Sequence, residues 1–140
     1  MTQPLASVTR TMTVRVSIPG ELPAPLPAQL HYEVHDPYAV RLSLGAPMAR
    51  PVDWVFARDL LAAGVHRTSG VGDVLVIPLP GTRPRVRVVL RSGTGTAVVA
   101  LPMDEVADFL RQSCALVPAG MEGLHLDLDH AVAELTGRNV

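Results

Sequence analysis

Apolar residues recur at every second position through most of the chain up to Leu101, and from Met103 onward they recur at helical spacing. Period two puts successive side chains on opposite faces of a pleated strand, so one face can be buried while the other meets water. The change of period divides the chain into a strand-rich body followed by helices. Met12, Val14, Val16 and Ile18 alternate with Thr11, Thr13, Arg15 and Ser17 and predict the first strand. Leu30, Tyr32 and Val34 predict a second, and Tyr38, Val40, Leu42 and Leu44 a third, joined as a hairpin by the turn dipeptide Asp36-Pro37. Residues 19–29 hold four prolines, and because proline lacks a backbone donor this stretch is expected to be a loop or extended connector.

The segment DWVFARDLL, residues 53–61, is a junction. Val52, Trp54 and Phe56 share a strand face, whereas Leu60, Leu61 and Val65 follow at helical spacing, so strand gives way to helix near Ala57-Arg58, and the helix is expected to end at Gly64. Trp54 and Phe56 read as structural anchors of the core, together with Phe109, because large aromatics contribute heavily to burial. DVLVIPLP, PRVRVVLRS and TAVVALP predict three further strands separated by Pro-Gly and Ser-Gly turns. Met103, Val106, Phe109, Leu110 and Cys114 then fall on one helical face, with Pro102 suited to a first turn and Asp104 and Glu105 favoured near the positive helix end. VPAGMEG breaks this helix, and DLDHAVAELTG predicts a second, with Asp127 or Asp129 as its N-cap and Gly137 as its stop. Strands followed by helices define an α+β fold of antiparallel β-sheets packed with C-terminal helices.

A length of 140 residues with 48% hydrophobic content suits a single domain spanning 1–140, with residues 1–10 expected to be a flexible N-terminus. Twelve basic residues, all arginine, oppose thirteen acidic ones for a net charge of −1. A nucleic-acid partner is therefore not expected, since neutralising phosphates usually demands a strongly positive balance. No apolar run approaches the roughly 18 residues of a membrane span, and MTQPLASVTR lacks the basic-then-apolar layout of a secretory signal. The expected location is the cytoplasm. The lone Cys114 excludes an internal disulfide and reads as a small buried hydrophobe.

Several groupings invite chemical readings. His31, Glu33 and His35 sit at i, i+2 and i+4 on an expected strand, spaced by roughly 7 Å on one face, and are acceptable zinc ligands. A flat strand face does not converge on a metal, so they read as the polar side of the hairpin. His125, Asp127, Asp129 and His130 are explained by helix capping. No serine lies in a G-x-S-x-G elbow, and Gly93 and Gly95 sit in a hairpin turn without the following helix that a phosphate loop needs. The expectation is a protein with no catalytic, cofactor or metal site. Arg83, Arg85, Arg87 and Arg91 share odd parity and form the candidate partner-binding stripe, read as a solvated face with acidic cross-strand neighbours or a surface for an acidic protein partner. The alternative is a single-stranded nucleic-acid module using the same stripe, although Pro84 interrupts it and no aromatic residues interleave to stack bases.

DPYAV (36–40), VDWVFARDLLAAGVHRTSGVGDV (52–74) and VPAGMEGLHLDLD (117–129) resemble the SsgA-like proteins, the sporulation and cell-division family of actinobacteria, and the spacing matches from about residue 14 to 137. That resemblance implies a fold similar to the Whirly single-stranded nucleic-acid binding proteins, with two packed antiparallel sheets followed by helices and assembly as a homotrimer. It also implies a non-enzymatic role at division septa, in which the protein helps position the tubulin-like division protein FtsZ, with FtsZ or another septal protein as its partner.

Overall fold

The computed structural model describes residues 6–46, 50–124 and 135. Strands β1 (Ser7–Ser17), β2 (Ala24–Glu33), β3 (Ala39–Leu44) and β4 (Val52–Ala57) lead into helix α1 (Arg58–Gly64). Strands β5 (Val74–Leu79), β6 (Arg85–Ser92) and β7 (Gly95–Pro102) lead into helix α2 (Met103–Leu116). The expected second helix at 127–137, with its capping residues, lies outside the described residues except for Leu135.

All strand pairs are antiparallel, in the order β4-β3-β2-β1-β7-β6-β5. The two sheets expected from the resemblance are therefore one hydrogen-bonded sheet. The joint is β1, which pairs with β2 along residues 7–16 but with β7 only through Arg15, Val16 and Ser17. Continued in register, the ladder would set Val14 against Leu101 and then Thr13 against Pro102, whose ring nitrogen cannot donate, so the strands cannot stay paired through that point.

Two further expectations are corrected. Residues 7–10, assigned to a flexible N-terminus, open β1 and pair with Glu33, Tyr32, His31 and Leu30. Residues 24–29, assigned to a connector, are strand despite Pro25 and Pro27. The Pro27 carbonyl accepts from the Gly45 N–H at 2.7 Å, on the side away from β1. In an antiparallel strand a residue's nitrogen and carbonyl point the same way, so Pro27, and Pro25 two residues before it, turn their missing donors away from the β1 ladder. Pro78 is tolerated for a related reason, since β5 is an edge strand.

Even-numbered residues of β1, β2, β3, β4 and β6 face one hydrophobic cluster that includes Met12, Val14, Leu30, Leu42, Phe56, Val86, Val88 and Leu90. Val106 and Phe109 of α2 are fully buried in it. Burying each such side chain contributes about 1.5–3 kcal/mol before conformational entropy is set against it. Arg10 ties β1 to α2, reaching Glu105 at 2.7 Å and Asp108 at 3.1 Å. Gly64 ends α1 against β5 so closely that a Cβ there would lie 2.1 Å from Val76 Cγ1. Ser113, one position before Cys114, takes the buried place on α2, and Cys114 is only part-buried.

Candidate functional site: an arginine-bordered cleft

β6 buries Val86, Val88 and Leu90 and turns Arg85, Arg87 and Arg91 to the opposite face. Arg83 lies outside the strand, exposed in the loop before it. The register keeps an acidic cross-strand neighbour for Arg91, whose N–H donates to the Asp73 carbonyl at 2.8 Å, and corrects that expectation for Arg85 and Arg87. Leu79 and Pro102 flank Arg85, Ile77 and Ala100 flank Arg87, and Thr96 lies beside Arg91. The face is therefore a half-exposed aliphatic surface crossed by guanidiniums, and the arginine stems can lie along it while their heads stay in water.

Where β1 parts from β7 this surface deepens into a cleft of about 500 Å³, lined by Thr13, Arg15, Pro25, Arg83, Arg85, Ala100, Pro102 and Asp104, among others. It holds two arginines of the predicted stripe and adds Arg15, which the sequence offered only as the outward side of a strand. Arg87 lies across Ala100 from Arg15, because both pair with that residue. Arg91 stands beyond the cleft, at the hairpin end of β6. Among the described residues, Arg15, Arg83, Arg85 and Arg87 form no ion pair.

The opposite situation holds at Arg58, which sequence reasoning passed over. It opens α1 and is 2% exposed. Its guanidinium stacks 4.7 Å from the Tyr32 ring centroid and donates to the Val117 carbonyl at 2.8 Å, Glu122 Oε2 at 3.0 Å and Ser113 Oγ at 3.4 Å. Glu122 Oε1 accepts from the Gly120 N–H at 2.7 Å. The Glu122 carboxyl lies below its ordinary range, held there first by its own backbone N–H and then by Arg58. Burial pushes the Tyr32 hydroxyl up to about 12, opposed by the Arg58 charge, and that hydroxyl donates to the Pro37 carbonyl at 2.9 Å. The Arg58 N–H donates to the Tyr38 carbonyl at 2.8 Å. Parts of DPYAV, WVFARDLL and VPAGMEG thus meet at one residue, the first through its backbone N–H and the last through its side chain. The available signal was an arginine inside a largely apolar run, with a lone acid in the distant VPAGMEG segment.

His31 sits between Thr9 Oγ1 at 2.6 Å and Glu33 Oε1 at 3.0 Å, and that hydrogen bond holds the Glu33 carboxyl below its ordinary range. His35 lies in the turn after β2, so the three side chains do not share a strand face as expected. Among the described residues no group of three or more histidine, cysteine, aspartate or glutamate side chains could hold a metal. His125, Asp127, Asp129 and His130 lie outside the described residues. Phe56 and Phe109 are buried, whereas Trp54 packs only part-buried against the core. No described helix is long and apolar enough to cross a membrane.

The α+β scaffold thus presents a cationic cleft on the outward face of its antiparallel sheet, the surface of a protein built for contact. Residues 26–122 match the family of Streptomyces sporulation and cell division protein SsgA. The chain is 36% identical to sporulation-specific cell division protein SsgB of Thermobifida fusca, covering 91% of this chain and 94% of the relative. It is 38% identical to SsgB of Streptomyces coelicolor, covering 92% and 95%. A crystal structure of the SsgA-like sporulation-specific cell division protein from Thermobifida fusca superposes with a TM-score of 0.85 at 36% identity, over 96% of this chain and 98% of that one. The chain belongs to the SsgA family of sporulation and cell division proteins.

Proposed function

We propose that this protein is a non-enzymatic, cytoplasmic adaptor that helps localise the division machinery, FtsZ among its components, to septum sites during sporulation. Family membership supports the sporulation and division role. The observation that carries the adaptor reading is the outward face of β6, where arginines without ion pairs among the described residues stand in an aliphatic surface suited to an acidic, partly apolar protein partner. The assembled form in this proposal is a homotrimer with the Whirly-like arrangement, in which neighbouring copies cover the β4 and β5 sheet edges. A fluorescent fusion should appear as ladders at future septa, and deletion should reduce sporulation septa. Uniform fluorescence with normal septation would reject this role, and light scattering at the 14.9 kDa monomer mass would reject the trimer.

The second reading, a single-stranded nucleic-acid module on the same arginines, draws on the cationic cleft. Against it, the cross-strand neighbours of Arg85 and Arg87 are aliphatic or proline, with no aromatic ring to stack a base.

A further inference from the structure

We infer that the cleft between β1 and β6 is a docking site for an extended acidic segment of a partner protein, seated on Arg15, Arg83, Arg85 and Arg87. This deepens the adaptor reading and rests on it, but moves the centre of recognition from the β6 stripe to the place where β1 and β7 separate. Arg15 and Arg87 both pair with Ala100, so their Cα atoms stand two strand spacings, roughly 10 Å, apart across a residue whose side chain is one methyl. Arg85 and Arg87 are successive outward positions of β6, separated by roughly 7 Å, the repeat at which alternate side chains of an extended peptide project to one side. A segment with acidic residues at every second position therefore presents carboxylates in step with these guanidiniums, and arginine binds a carboxylate through two parallel N–H donors. Apolar residues near the acids would meet Leu79, Ile77 and Pro102, the cross-strand neighbours of Arg85 and Arg87.

Three observations favour a protein segment over a nucleic-acid strand. No aromatic side chain lines the cleft. Asp104 lies on its wall, where it repels a continuous run of phosphates but tolerates a partner whose charges can be spaced around it. The chain's net charge of −1 supplies no long-range attraction for a polyanion.

The test measures binding of a dye-labelled peptide of alternating glutamate and leucine to the full chain by fluorescence anisotropy, beside dye-labelled oligothymidylate at the same salt. The peptide should bind, more weakly as salt rises, and Arg15→Glu with Arg83→Glu should weaken it by about tenfold or more, whereas Arg67→Ala on the exposed loop after α1 should not. Circular dichroism melts of each variant separate lost contact from lost folding. No binding of the peptide, or tighter binding of oligothymidylate, overturns the inference. So does peptide binding that survives reversal of Arg15 and Arg83 but falls on reversal of Arg87 and Arg91. That last result would leave the adaptor reading and its β6 face standing, whereas normal septation on deletion would remove the adaptor reading without touching the peptide result.

Discussion

Arg58 and Glu122, 64 residues apart in sequence, form an ion pair at 3.0 Å in which both side chains are 5% exposed or less. The pair fastens the segment after α2 to the first turn of α1. Its carboxylate is completed by the Gly120 N–H, and its guanidinium by the Val117 carbonyl and the Tyr32 ring. A buried pair of this kind gives little net stability over an apolar replacement, because desolvating two charges costs about as much as their attraction returns, yet it penalises the loss of either partner.

Arg58→Met alone should therefore destabilise the fold by about 3–5 kcal/mol, since it strands Glu122 without its cation. Arg58→Met with Glu122→Leu should recover much of that loss. Urea unfolding of the two single variants and the double variant provides the measurement, and strictly additive losses would contradict a coupled pair.

The depressed Glu122 carboxyl sets an acid limb. Its folded pKa lies below the ordinary 4.5, so the unfolded chain binds this proton more readily, and the stability it contributes is present above 4.5 and lost as pH falls through the folded value. Glu122→Gln should flatten stability against pH below 4.5 relative to the parent, as read from chemical denaturation across that range.

At the alkaline end the sign is set by Tyr32. With the folded hydroxyl pushed up to about 12 from 10.0, the unfolded chain releases its proton first, so stability falls as pH rises between those values. Absorbance titration should show a tyrosinate step near 12 that Tyr32→Phe removes.

Phe109→Ala should cost about 3–5 kcal/mol, because its ring is fully buried in the shared core. Trp54→Ala should cost less, since that ring packs only part-buried on edge strand β4. Thermal melts ranking the two in the reverse order would mean that Trp54, and not Phe109, anchors the core.

Gly64→Ala should destabilise by about 1–3 kcal/mol, the usual cost of forcing a methyl into a filled site. The added Cβ would fall 2.1 Å from Val76 Cγ1, and β-branched valine at 0% exposure has no alternative place to put that methyl. An unchanged melting temperature would show that α1 can lift from β5 without loss.

Much of this fold follows from local pattern. The alternation in β1, β3 and β6, the strand-to-helix change at Ala57-Arg58, the Asp36-Pro37 turn and the apolar stripe of α2 were legible because side-chain periodicity is a property of neighbouring residues. The same parity sent Arg85, Arg87 and Arg91 outward. Only the tertiary structure decided what stands beside them. Cross-strand register placed Ile77, Leu79, Ala100 and Pro102 beside Arg85 and Arg87 in place of acids, and the end of the β1–β7 ladder brought Arg15 to the cleft. Pro25 and Pro27 read as loop because a missing donor matters only on the side where a strand pairs, and that side is fixed by a neighbour distant in sequence. Arg58 is the sharpest case. Within WVFARDLL it is one of two charges, beside Asp59, among apolar residues, and only the return of Ser113, Val117 and Glu122 from the far end of the chain makes its burial possible, because a desolvated guanidinium is tolerated only where every side of it meets an acceptor or a ring.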